Sequence, residues 1–284
     1  MNSSFFNSSD VIETHRHSLI HHGPQNKRVY VMHLDPQDMP AIIDELEELA
    51  TTNHYTKMIY KVPKPFKADF SKRGYKQEGS IPKYFSAIET CCYMCHYLDA
   101  RRKQIKDIDQ VTDVLRKSLH QTSLNISLKL QSPFTIKILD TSHTFAMAEL
   151  YRQVFSSYPF PIFDKTYLEE TMLKNIIYFG LFNKNQLVGV ASCETDLSTK
   201  TSEMTDFAIH PDYRGHQFAL HLLQEMEIHM RMLGIQTVYT IARANSYGMN
   251  ITFTKQGYCY GGLLRNNTHI GGQLESMNVW YKMI

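Results

Sequence analysis

The chain has 284 residues, of which 43% are hydrophobic and 20% charged, with a formal net charge of +2. That length suits one large or two small domains, and the composition excludes a disordered chain. The near-neutral balance gives no argument for nucleic acid or an anionic membrane, and no apolar run approaches the roughly 20 residues of a membrane span.

The opening Met1–Asp10 has neither a basic region nor an apolar core, so it does not read as a signal peptide. A cytoplasmic location with reduced cysteines is the expectation. Residues 1–22, rich in Ser, Asn and His, read as a mobile tail. A strand over 28–34 leads to a helix over 38–50, with Ile42, Ile43, Leu46 and Leu49 at helical spacing. Then come a strand over 55–62, a short helix over 66–73 and an extended stretch over 75–86. Phe85, Ile88, Cys92, Cys95 and Leu98 predict a longer helix over 86–103. Cys92-Tyr-Met-Cys95-His96 has the haem-attachment spacing, but that chemistry requires export, and no second ligand pair completes a zinc site. No metal is expected. Residues 106–132 read as a polar linker with one helical stretch near 111–119.

The C-terminal part is predicted as strand 134–139, helices 146–155 and 165–174, and a hairpin of 176–182 with 187–194. Strand 204–209, helix 218–233, strand 236–243, helix 246–256 and strands 258–264 and 276–283 follow. This order implies a mixed, mostly antiparallel sheet flanked by helices, α/β or α+β by convention. The expected division is a half domain over 23–105, the linker over 106–132 and a main domain over 133–284.

The densest signal is Glu203-Met-Thr-Asp-Phe-Ala-Ile-His-Pro-Asp-Tyr-Arg-Gly-His-Gln-Phe-Ala219. A strand stops at Pro211, Arg214-Gly215 makes a loop, and an amphipathic helix starts at once. Such a loop offers free N–H groups and a positive dipole end to a phosphate or pyrophosphate. Arg214-x-x-Gln217-x-Ala219 resembles the acyl-CoA pyrophosphate loop of the GNAT N-acetyltransferases, and Phe253-Thr-Lys-Gln-Gly257-Tyr258 is similar to that family's signature after its last helix. Thr240 to Phe253, Glu275 to Lys282, and His22-Gly23 with Arg28 to Leu34 resemble the bacterial and archaeal β-lysine N-acetyltransferases.

The resemblance implies acetyl transfer from acetyl-CoA to the ε-amine of β-lysine. The implied product is Nε-acetyl-β-lysine, a compatible solute, and the implied pathway partner is a lysine 2,3-aminomutase. It assigns Phe207, Ala208, Ile209, Arg214, Gly215, His216, Gln217, Phe218, Ala219, Asn250 and Phe253 to the cofactor. A backbone N–H near Ala208 or Ile209 would polarise the thioester carbonyl. Gln217 stands where the family usually has Gly, and is expected to be helical. Glu203, eleven positions before Arg214, is the first choice of base, because an amine with a pKa near ~10.4 must lose a proton to attack. Asp206 is the second choice, placed on the opposite face by strand alternation. For a general acid the family's Tyr is here Phe253, which leaves Tyr247 or an unaided thiolate. Arg243, Arg265, Asn245, Asn250, Asn267 and Asn278 are candidates for the acceptor carboxylate. Glu275 and Asp206 are candidates for an amine. Two alternatives stay open: an acetyltransferase for another small amine or a protein lysine, and a non-catalytic acetyl-CoA sensor.

The first part echoes the second. Phe70-Ser-Lys-Arg-Gly74-Tyr75 aligns without gaps to Phe253-Thr-Lys-Gln-Gly257-Tyr258 at an offset of 183 positions, from Phe70 to Phe253. At that offset the strands and helices also meet, which suggests a degenerate half-copy of the acetyltransferase fold without the phosphate loop. That half could cover the main sheet or shape the acceptor pocket.

Overall fold

A computed structural model describes residues 10–123 and 129–284. The elements in chain order are β1 (Val11–His15), β2 (Ser18–Gly23), β3 (Arg28–His33), α1 (Ala41–Thr52), β4 (Lys57–Pro63), α2 (Lys67–Lys72), β5 (Lys76–Phe85), β6 (Glu89–Tyr97) and α3 (Ile108–Leu119). The second half continues with β7 (Phe134–Ile138), α4 (Thr144–Val154), α5 (Lys165–Met172), β8 (Ile176–Asn183), β9 (Gln186–Asp196) and β10 (Thr201–Ile209). It ends with α6 (Phe218–Met232), β11 (Thr237–Arg243), α7 (Tyr247–Lys255), β12 (Cys259–Ile270) and β13 (Gln273–Met283).

The 13 strands of the described residues join one sheet, in the order β1-β2-β3-β4-β6-β5-β12-β13-β11-β10-β9-β8-β7. From β1 to β6 the chain runs through the same succession of strands and helices as from β8 to β13. The two runs meet at β5 and β12, where Gly79 pairs with Gly262, residues related by the offset of 183. The same offset relates Lys57 opposite Tyr97 to Thr240 opposite Trp280. It also relates two edge-on ring pairs, Phe70 with Tyr75 at 5.3 Å and Phe253 with Tyr258 at 5.1 Å.

One face of the sheet carries α1 and α2 over Val29, Val31, Met58 and Tyr60, and α6 and α7 over Met204 and Val238. The other face carries α4 and α5 over Tyr178, Val190 and Ala208. Beyond those helices, that face has an apolar cluster drawn from both halves, including Tyr30, Ile59, Tyr93, Tyr239 and Val279. The sheet curls towards this second face. In a flat sheet β4 and β11, five strands apart, would be about 24 Å apart, yet Lys61 Nζ on β4 donates to the Tyr239 hydroxyl on β11 at 2.9 Å. The result is a trough, closed where His21 of β2 meets Phe160 of the α4–α5 loop with ring centroids 5.1 Å apart.

Two expectations are corrected. Residues 11–23 are an edge hairpin, not a mobile tail; the tail's first nine residues lie outside the described residues. The hairpin is held by polar contacts that leave no hydrophobic pattern: Ser18 Oγ donates to Asp38 at 2.6 Å, and His15 and Arg16 both bond Glu45. Second, 86–103 is strand β6 and a short 3-10 turn rather than a helix. Both faces of β6 are buried, so its period of two is hidden, while Ile88 is 83% exposed in a turn. Cys92 and Cys95 consequently face opposite sides, packing into different clusters. The helical stretch expected near 111–119 is α3, docked on α7: Gln110 reaches the Asn245 carbonyl, and Tyr247 OH donates to Asp113 at 2.6 Å.

Candidate active site

β10 shapes the site. It pairs in parallel with β11 only over Thr201–Glu203, against Thr237–Tyr239, and then the two strands part. On its other side, β10 has a bulge against β9: two residues, Asp206 and Phe207, fit between the pairs Thr205↔Ser192 and Ala208↔Val190. Asp206 has φ +55°. Such a bulge re-aims side chains and bends the strand away from its neighbour. The parting opens a cleft of about 610 Å³, walled by Thr205–Phe207 and Ile209 on β10, Thr240–Arg243 on β11, and Met249 and Phe253 on α7.

Arg214, Gly215, Gln217, Phe218 and Ala219 line the mouth of this cleft. Among the described residues no side chain caps α6. Gly215 has φ +86°, and a Cβ built there would meet nothing within 4 Å among the described residues. The α6 N-terminus therefore offers an open cradle for an anion. Gln217, which the sequence reading expects to be helical, is instead left-handed at φ +59° and ψ +21°. That conformation is the one a family Gly would take freely, and it costs Gln on the order of 1 kcal/mol.

The cofactor candidates divide. Phe207, Ile209, Arg214, Gly215, Gln217, Phe218, Ala219 and Phe253 line the cleft. Ala208 is fully buried against β9, and His216 is exposed, its ring tilted against Phe218. Asn250 is also fully buried: its Oδ1 accepts from Asn278 Nδ2 and Trp280 Nε1, so its side chain pins α7 to β13 instead of meeting a ligand. The same network removes Asn278 from the acceptor candidates. Tyr247 OH is committed to Asp113 outside the cleft, which removes the expected general acid. Arg243 and Glu275, expected at opposite ends of an acceptor, are ion-paired to each other, with Arg243 Nε 2.8 Å from Glu275. Asn245 Oδ1 is buried without a partner.

Behind the cleft, on the trough face, three carboxylates converge. Glu203 stands directly opposite Glu194 of β9. Like charges so placed repel, so nothing in folding favours the pair. Asp206, expected on the far face, is carried to the same side by the bulge. It accepts from Ser192 at 2.6 Å and from Tyr158 of the α4–α5 loop at 2.5 Å, and it also lines the cleft. Burial and the neighbouring charges of Glu203 and Asp206 push the Glu194 carboxyl up to about 8. Burial also raises Glu203, against the pull of the Lys61 ammonium and the Tyr239 hydroxyl. Burial raises Asp206 as well, opposed by its hydroxyl donors. Glu194, Tyr158 and Lys61 were not among the sequence candidates. The cross-strand position of Glu194 needs the β9–β10 register, and that of Lys61 needs the curl of the sheet.

Comparison with known proteins agrees with this geometry. Residues 145–258 match the model of the acetyltransferase (GNAT) family. The chain is 36% identical over 266 residues to "Beta-lysine N(6)-acetyltransferase" of Methanococcus maripaludis, covering 94% of this chain and 96% of that one. It is 30% identical to "N-acetyltransferase YodP" of Bacillus subtilis, over 94% of this chain and 96% of that one. A second "Beta-lysine N(6)-acetyltransferase", from Methanosarcina mazei, is 30% identical over 86% of this chain and 97% of its own.

Proposed function

The chain belongs to the GNAT acetyltransferase family, and on that premise we propose that it moves the acetyl group of acetyl-CoA to the N6 amine of β-lysine. The observation that carries the chemistry is the two-sided construction at β10. An uncapped helix start opens on the cleft side, and a carboxylate group stands on the trough side. The acceptor follows from near-full-length likeness to two relatives of that name.

Arg214 to Ala219 hold the pyrophosphate through backbone N–H groups, and the parted strands take the acyl arm. Acetyl-CoA supplies the thioester that the amine attacks. The acceptor lies in the trough with its reactive end at Asp206. Glu203 takes the ammonium proton, directly or through water, and leaves a free amine. A raised carboxyl suits that exchange better than an ordinary one. Asp206, fixed by Ser192 and Tyr158, orients the amine. No side chain is assigned as general acid; the departing thiolate takes its proton from water. Residues 11–105 do not form a second CoA site but wall the trough. The enzyme works in the cytoplasm on β-lysine supplied by a lysine 2,3-aminomutase, and its product is a compatible solute.

The test is CoA release with β-lysine, α-lysine and spermidine offered separately. A clear preference for β-lysine is expected. Turnover of the others alone would discard that acceptor, and tight acetyl-CoA binding with no turnover would make the protein a sensor.

A further inference from the structure

Lys61 sits on β4 in the N-terminal half, on the trough face with Lys57 and Ile59. Only 6% of it is exposed. Its ammonium donates to Tyr239 OH at 2.9 Å and lies over the rings of Tyr239, Tyr30 and Tyr84 at 5.1, 5.7 and 5.8 Å. Among the described residues no carboxylate comes within 4.0 Å of it. Lys57 shows what this fold does with a structural lysine, for it is fully buried and paired to Glu78 at 2.8 Å. The charge of Glu203 acts on Lys61 from beyond the Tyr239 hydroxyl, but a buried ammonium with no carboxylate in direct contact is costly.

Nearby polar groups are also left without partners. Arg28, 3% exposed, lies 5.1 Å from the Tyr30 ring centroid and donates through Nη1 to the Asn267 carbonyl and Thr268 Oγ1, but has no ion pair among the described residues. Its Nε and the hydroxyls of Tyr30 and Tyr93 are buried without hydrogen bonds. Across the trough Glu194, Glu203 and Asp206 likewise have no ion pair among the described residues. A cation from one half of the chain thus faces carboxylates from the other, Lys61 and Glu203 meeting across the Tyr239 hydroxyl. A molecule with ammonium groups and a carboxylate complements both.

We propose that Lys61 binds the carboxylate of the acceptor, so that the N-terminal half selects amino-acid diamines over plain diamines and polyamines. This rests on the acetyltransferase reading above, but not on β-lysine being the acceptor.

The experiment pairs each carboxylate-bearing acceptor with its twin lacking the carboxylate: β-lysine with 1,4-diaminopentane, lysine with cadaverine, ornithine with putrescine. Wild type is expected to prefer the carboxylate-bearing member of its best pair by at least about 50-fold in kcat/KM, the worth of a desolvated ion pair. Lys61→Met should lower that member about 100-fold and leave its twin within about threefold. A parallel fall on both would make Lys61 a counterweight to Glu203 and overturn the proposal, as would no fall, or a wild type that prefers the plain diamine. If lysine or ornithine shows the split and β-lysine does not react, Lys61 keeps its role and the β-lysine reading fails. Should Lys61→Met not fold, Tyr239→Phe removes the hydroxyl that Lys61 shares with Glu203, and taking the ratio within a pair cancels the effect on the base, which both members need. The ratio within the pair should then drop about fivefold, and an unchanged ratio overturns the proposal. Without turnover, the same pairs are compared by equilibrium binding.

Discussion

The two halves of this chain share an order of strands and helices but not a chemistry, and the difference is concentrated at one connection. In the C-terminal half β10 parts from β11 after three residue pairs, and the connection to α6 ends in a left-handed Gln217 with no capping side chain. In the N-terminal half β3 pairs with β4 over four of its six residues, Arg28–Val31, and the connection to α1, whose start likewise has no capping side chain, holds anions of its own. Asp35 accepts from Gln37 N, Asp38 accepts from Ser18 and His17, and Pro36 and Pro40 remove donors. A helix start serves a phosphate only while its N–H groups are free and no carboxylate is already there. Sharing a fold therefore does not transmit function. The half without the loop contributes surface to the trough instead.

The comparison can be broken first at the seam. Gly262 has φ +138°, and a Cβ there would lie 2.2 Å from the Glu78 carbonyl. Gly262→Ala should destabilise the protein by about 2–4 kcal/mol in urea unfolding. Near-wild-type stability would mean that the halves do not depend on this close approach. Next, Gly215→Asp gives the C-terminal loop the carboxylate character of its counterpart, in space that is empty. The KM for acetyl-CoA should rise about 30-fold, on the order of 2 kcal/mol of repulsion, while kcat at saturation changes little. An unchanged KM would remove the loop from pyrophosphate binding.

The carboxylates offer a smaller effect with a defined sign. Glu194 is raised from 4.5 to about 8 in the folded protein. Below pH 4.5 both folded and unfolded chains carry the proton. As pH rises to about 8 the unfolded chain loses it first, so wild-type stability falls across that window. Glu194→Gln escapes this loss. Its melting temperature should match wild type near pH 4 and exceed it by about 3 °C near pH 8. A gap that does not open with pH would mean that burial beside Glu203 and Asp206 does not hold the Glu194 proton. Smallest of all, Tyr247→Phe should keep kcat within about twofold and lose only about 0.5–1 kcal/mol of stability with its bond to Asp113. A large fall in kcat would restore Tyr247 as an acid.

Much of this was legible in the sequence because it is local. The strand, Pro211, Arg214-Gly215 and apolar helix face sit within one run, and the echo at offset 183 reappears as Gly79 paired with Gly262. What stayed hidden depends on register or curvature. A single extra residue in β10 moved Asp206 to the face of Glu203, against simple alternation. Burial on both faces disguised β6 as a helix, and histidines satisfied by Asp38 and Glu45 disguised an edge hairpin as a tail. Asn250 and Asn278 carried plausible chemistry but are used up holding α7 to the sheet.

The most direct test of the account is the pH dependence of kcat for wild type and Glu203→Gln at saturating acetyl-CoA and acceptor. The account predicts a loss of at least about 100-fold at pH 7, narrowing towards pH 10 as the acceptor amine sheds its own proton. An unchanged kcat at pH 7, or a deficit that stays constant across the range, would contradict Glu203 as the group that takes the proton.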